Sequence, residues 1–191
     1  MTSAPPQSMT LQTFLQLPNI DESPAWEYSQ GVLSQKTMGG SKHSLLQKRL
    51  VAAVDATGSP YEAFPELRCT FGGRSIVPDV VVVISHRLPI DEDGEVSSSG
   101  ITFAPDWVIE ILSPNQSQTR VTGNILHCLQ NGTQLGWLID PQEKSVLCYE
   151  PDRLPLIAQG ATLLPCLQAV NLNLSAEAVF RWLKRRDSWQ R

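Results

Sequence analysis

Apolar residues crowd into three short runs in the middle of the chain: VPDVVVVI (Val77–Ile84), DWVIEILSP (Asp106–Pro114) and LGWLID (Leu135–Asp140). Runs this short, β-branched and nearly continuous predict strands buried on both faces. The first two each carry one acid in apolar surroundings, Asp79 and Glu110. Side chains alternate along a strand, so Asp79 shares a face with Val81 and Val83, and Glu110 with Val108 and Leu112. A buried carboxylate without a partner costs on the order of several kcal/mol. If the two strands pair in register, the carboxylates sit side by side, and one keeps a proton unless a cation bridges them. Oxygen donors of this kind suit magnesium or manganese. The alternative is that each acid ends a strand and pairs with a nearby Arg or Lys.

Around this centre the pattern predicts an α/β order. Thr10 caps a short helix, LQTFLQL, that Pro18 ends. Trp26–Leu33 alternates and turns at Gln30-Gly31, a hairpin. Ser41 reads as the N-cap of a helix from Lys42 to about Thr57, with Leu45, Leu46, Leu50 and Val54 on one stripe. Tyr61–Phe71 reads as one strand, turned by Gly72-Gly73 into a strand Ile76–Ile84 that tolerates Pro78 near its start. His86–Ala104 is polar and reads as an insertion loop. A helix from about Thr119 to Gln130 stops at Asn131-Gly132. Strands Leu135–Ile139 and Ser145–Tyr149 follow, then a helix from about Ser175 whose end carries Lys184-Arg185-Arg186, cations that complement the helix dipole. The expected architecture is one domain over 1–191 with a mixed central sheet flanked by helices. Residues 1–9 are expected to fray and the core to span about 22–183.

At 191 residues, 41% hydrophobic and 18% charged, the chain can bury a full core. Its net charge of −4 gives no global attraction to nucleic acid, which disfavours a constitutive DNA-binding protein but not an enzyme that meets DNA transiently. Four cysteines without a CxxC pair argue against a zinc site and for a reducing compartment. With no secretory signal and no long apolar run, a cytoplasmic protein without membrane spans is expected.

Pro78-Asp79 followed by Glu110 at the end of an apolar strand resembles the PD-(D/E)xK nuclease motif. The wider string is more specific: WEYSQGVL, His43 opening a helix, AFPELRCTFGGRSIVPDVVVV, DWVIEILSP, and a helix leading into GTQLGWLIDP. Over roughly residues 22–183 the chain is similar to the Uma-two family of restriction-endonuclease-like proteins. The resemblance implies the restriction-endonuclease-like fold with an N-terminal β-hairpin extension, and magnesium- or manganese-dependent cleavage of DNA phosphodiesters. It also implies a metal held by Asp79 and Glu110, with the Ile111 carbonyl and Glu27 as further ligands, and His43 near the phosphate or the attacking water. Gln47, one helical turn on, is a weaker candidate, and Glu66 reads as structural. Nucleases of this fold often pair, so a homodimer is expected.

One position departs from the motif. Two residues after Glu110, where the motif has lysine, stands Leu112. Leucine can neither polarise a water nor offset phosphate charge. The position on the following helix where relatives carry a lysine aligns with Asn124, and Arg120 lies one turn earlier on the same face. One reading has Arg120, helped by Asn124, supplying the missing cation. The other has Arg120 on the surface and the protein as a catalytically inactive module that binds nucleic acid or a protein partner.

Other motifs fail on their own terms. The acidic run Asp91–Glu95 misplaces the calcium-loop glycine. Ser113 lacks a nucleophile-elbow context. His86 and His127 have no partner at metal-ligand spacing.

Overall fold

The computed structural model describes residues 9–114 and 116–185; most of the segment expected to fray, and Arg186, lie outside the described residues. Among the described residues ten strands and four α-helices follow one another in the mixed order the pattern predicts. Thr10 caps α1 (Leu11–Leu15) by accepting from the Thr13 amide. β1 (Trp26–Ser29) and β2 (Val32–Gln35) form the expected hairpin. Gln30 and Gly31 both take positive φ, 51° and 84°, the left-handed pair a two-residue hairpin turn demands.

α2 spans Ser41–Asp55, so Ser41 is its first helical residue; the cap position is Gly40, which has no side chain to bond an amide. Leu46, Leu50 and Val54 are its buried stripe, whereas Leu45 is only half-buried.

Two stretches that read as single strands are each broken. Tyr61–Phe71 divides into β3 (Tyr61–Pro65) and β4 (Cys69–Phe71) at Glu66, whose φ of 50° no strand accommodates. Ile76–Ile84 divides into β5 (Arg74–Ile76) and β6 (Val80–Ile84) at Val77-Pro78-Asp79, where proline removes a ladder donor. In both cases the chain changes sheets at the break. β4 and β5 join the hairpin in a four-stranded sheet, β2-β1-β5-β4. β3 and β6 join the larger sheet.

The larger sheet is mixed, with order β10-β9-β8-β7-β6-β3. It includes β7 (Trp107–Ile111), β8 (Leu135–Asp140), β9 (Ser145–Tyr149) and β10 (Leu156–Ala158), the last unsignalled by any alternation. Only β7 and β8 pair in parallel. They are joined by α3 (Gln118–Gln130), because a parallel connection needs a crossover long enough to hold a helix. α4 (Ala176–Arg181) is capped by Ser175 and ends before Lys184, so the basic residue in its last turn is Arg181.

Alternation along the buried strands divides the core. Val80, Val82, Ile109, Ile111, Trp137 and Ile139 pack against α2 and α4 on one face. Val81, Val83, Val108 and Leu138 pack against Val121, Ile125 and Cys128 of α3 on the other, with Phe71 and Ile76 of the small sheet. α3 approaches β8 so closely that a Cβ at Gly136 would overlap Cγ2 of Ile125. Gly136→Ala is therefore expected to destabilise the fold by about 1–3 kcal/mol. A denaturation midpoint equal to wild type would contradict that close approach.

Candidate active site

The break before β6 is what exposes Asp79 to its partners. Val80 pairs with Ile109 and Val81 with Val108 in the antiparallel β6–β7 ladder, so the next step of the register sets Asp79 beside Glu110. The Asp79 amide points at Glu110 Oε2, 3.4 Å away, and the Ile111 amide donates to Asp79 Oδ2 at 2.7 Å. Ile111 thus meets Asp79 through its N–H. His43 and Gln47, one turn apart on α2, converge on the same residue. His43 Nε2 lies 2.9 Å from Asp79 Oδ2, and Gln47 Nε2 donates to the Asp79 carbonyl at 2.8 Å. Gly39 lies against the His43 imidazole, where a Cβ would overlap the ring.

The cation against the acids is Lys36, which the sequence reading did not single out. Its Nζ is 2.7 Å from Asp79 Oδ1 and 3.7 Å from Glu66 Oε1, with the side chain 10% exposed. An ammonium has three donors, and this one is enclosed with no hydrogen-bond partner beyond these ion pairs. The signal for it lay in the hairpin. Glu27 pairs with Ser34, and the Lys36 amide continues the ladder to the Ala25 carbonyl at 2.8 Å. Alternation therefore sets Glu27, Ser34 and Lys36 on one face.

Arg120 sits elsewhere. Its guanidinium, 48% exposed, faces Glu27 Oε2 at 3.5 Å and donates to Ser34 Oγ. Glu27 Oε1 accepts the Val77 amide at 2.9 Å, so this buried acid anchors the strand break as well as facing Arg120. Arg120 and Asn124 nonetheless share a cavity of about 240 Å³ with Lys36, Glu27 and Glu110. Leu112 lies outside it, lining a neighbouring concavity with His43 and Ser113.

The charges are uneven. Burial pushes the Asp79 carboxyl up, but the His43 hydrogen bond and the Lys36 charge overcome it and hold it below its ordinary value. Glu110, buried and repelled by Asp79 and then Glu27, is driven well above its ordinary value despite Lys36. Burial works against the Lys36 ammonium, yet Asp79 and Glu110 together raise its pKa. The resting site is a Lys36–Asp79 ion pair beside Glu110, whose ionisation burial and the Asp79 charge oppose.

Among the described residues no group of three or more His, Cys, Asp or Glu side chains is placed to hold a metal ion. The donors at the register step are nevertheless of the right kind for a hard divalent cation: two carboxylates, one of them with its pKa raised by burial and then by its neighbour's charge. Their fit is to a site that a cation completes rather than to a ready-made cage.

The motifs discounted above behave accordingly. His127 Nε2 meets the Phe71 carbonyl at 3.2 Å and its ring stacks on Phe71, a satisfied core histidine. His86 lies exposed in a single 3₁₀ turn, and the Asp91–Glu95 run is solvated. No helix among the described residues is long and apolar enough to cross a membrane.

No curated protein matches the chain. Among solved structures it is similar to one from Anabaena variabilis, titled a putative nuclease belonging to DUF820. The two are 46% identical with a TM-score of 0.87, over 92% of this chain and 99% of that one. Residues 11–177 match the family model Uma2, described as "Putative restriction endonuclease". With the match running from α1 into α4, through both strands that carry the acid pair, the chain belongs to the Uma2 family.

Proposed function

We propose that this protein is a nuclease that hydrolyses DNA phosphodiesters with magnesium or manganese held at Asp79 and Glu110. The observation that carries the reading is the β6–β7 register, which sets two buried carboxylates side by side, Glu110 of the pair lining a polar cavity. The Ile111 carbonyl and Glu27 are the further oxygen donors within this reading. A bound divalent cation supplies Lewis-acid polarisation of the phosphate and a water acidic enough to attack it.

The chain's own residues do the positioning. His43 and the Ile111 amide fix Asp79 Oδ2, so the carboxylate cannot rotate away. Arg120, half exposed at the cavity wall, meets phosphate oxygens with its fork of donors; its high pKa excludes it as a general base. Asn124 lines the same cavity and orients water or phosphate. Four free thiols suit a reducing cytoplasm, where DNA is the substrate. A homodimer would bring one site to each strand of a duplex, and exposed edge strand β2 is the element on which we would build it.

A second reading has its own support: both Asp79 oxygens are already met by Lys36, His43 and the Ile111 amide, as expected of an inactive nuclease-fold module. Plasmid nicking under a manganese titration separates the two. Wild type should nick, Asp79→Ala and Glu110→Ala should lose about a hundredfold or more, and Arg120→Ala should lose less. Nicking that survives both carboxylate changes, or never appears in wild type, removes the enzyme reading.

A further inference from the structure

We infer that Lys36 is the resident counter-ion of the acid pair, and that a divalent cation enters by displacing its ammonium from Asp79 Oδ1 toward Glu66. The inference rests on the metal-site reading above and adds what governs entry to that site.

The geometry has three parts. First, Lys36 Nζ holds the oxygen a cation would need. Asp79 Oδ2 is committed to His43 and the Ile111 amide, so Oδ1 is the free donor, and the ammonium lies 2.7 Å from it. Second, the ammonium has somewhere to go. Glu66 Oε1 is 3.7 Å from Nζ and its side chain is 50% exposed, so a modest rotation of a flexible four-carbon stem exchanges one carboxylate for the other. Glu66 is held in place by its own amide, which donates to the Asp79 carbonyl at 3.2 Å. Third, Lys36 and Thr37 line both the cavity with Glu110 and Arg120 and the adjoining one with Gly39, His43, Gln47 and Glu66. The lysine stem forms part of the wall between them, and the swing takes Nζ from the acid pair to the far side.

One cation leaves Asp79 as another arrives, and the displaced ammonium meets a second anion, Glu66, instead of a bare interior. Lys36 therefore sets the affinity of the site. Monovalent ions, which bring no more charge than an ammonium at 2.7 Å, do not displace it, and a divalent ion is admitted because it brings twice the charge.

Isothermal titration of Mn²⁺ into the full chain tests this without reference to cleavage, using wild type, Lys36→Gln, Glu66→Gln and Asp79→Asn. With no ammonium to displace, Lys36→Gln should bind about tenfold more tightly than wild type. Glu66→Gln should bind several-fold more weakly, because the displaced ammonium has lost its second partner. Asp79→Asn should abolish binding. If Asp79→Asn abolishes binding while Lys36→Gln binds no more tightly than wild type, the counter-ion role is wrong and the metal site stands. If Asp79→Asn binds as wild type does, or no variant binds, both fail.

Should Lys36→Gln not fold, ¹³C-lysine-labelled wild type titrated with Mg²⁺ gives the answer directly. The Lys36 Cε resonance, assigned by its absence from Lys36→Arg, should shift in step with the binding heat. A resonance unmoved at saturation overturns the proposal.

Discussion

Arg68→Leu is expected to lower the unfolding free energy by about 3–5 kcal/mol, the scale of breaking a buried, fully bonded charge. The Arg68 guanidinium is buried between the N-terminal segment and the sheet that carries the hairpin. It donates to Asp21 Oδ1 at 2.6 Å, Ser75 Oγ at 2.9 Å, the Ile20 carbonyl at 2.8 Å and the Trp26 carbonyl at 3.0 Å, and lies over the Phe14 ring. Leucine takes the side-chain donor from the Trp26 carbonyl, leaves the Ile20 carbonyl with the Trp26 amide alone, and leaves Ser75 Oγ with Thr70 Oγ1 alone, while the buried charge and its packing over Phe14 are lost together. Asp21 is largely exposed, so Asp21→Asn should cost little and show that the main-chain bonds dominate. The loss reaches the site, because Arg68 holds β1 at Trp26, next to Glu27, and β1 carries β2 with Lys36 at its end. Urea denaturation alongside Arg153→Leu, an exposed arginine paired only with Glu150, is the control. Equal midpoints for the two variants would contradict the clamp.

Glu110→Gln should do two opposite things: abolish metal-dependent nicking and stabilise the fold. Burial and the Asp79 charge oppose ionisation of Glu110 in the folded chain and raise its pKa well above 4.5, the ordinary value at which it ionises in the unfolded chain. As pH rises through that value the unfolded state releases a proton that the folded state retains, so wild-type stability falls until the raised folded value is passed. Glutamine has no such penalty. Its advantage should be small at pH 4 and grow as pH rises above the ordinary Glu range toward pH 8. Thermal unfolding of both proteins across that range, without divalent ions, reads it. A variant less stable than wild type at pH 8, or a gain independent of pH, would mean that Glu110 is ionised and well paired in the resting protein. Stabilisation on removing a metal ligand is what a site strained for function predicts.

The legible parts of the site were those written in local pattern. Asp79 and Glu110 stand out because each interrupts a run of residues that must be buried, and their side-by-side placement needed only that the two strands pair in register. His43 followed from the family resemblance and Gln47 from helical spacing one turn on, and both reach Asp79. The hairpin was readable from Gln30-Gly31, since few sequences supply two adjacent positive-φ positions. The helix ends at Thr10, Ser117, Ser175 and Asn131 follow from capping chemistry within a few residues.

Other features were written in no single stretch. The divided strands at Glu66 and Val77-Pro78-Asp79 have apolar patterns that run straight through the break, because both neighbouring sheets bury residues there. Arg120 drew the search for a cation because helical spacing puts it on the face expected to meet the acids. In the fold, that face meets the hairpin first, and Glu27 and Ser34 hold the guanidinium.

The sequence by itself determined an α/β chain with two buried acids on adjacent strands and no lysine where the nuclease motif has one. Only the tertiary structure decided which cation answers them. Lys36 belongs to a hairpin far from both acids along the chain, and its distance from Asp79 is set by how the four-stranded sheet docks on the six-stranded one. Local pattern carries information about strand faces and helix stripes. The meeting of side chains from two sheets depends on packing between them, which no stretch of either contains.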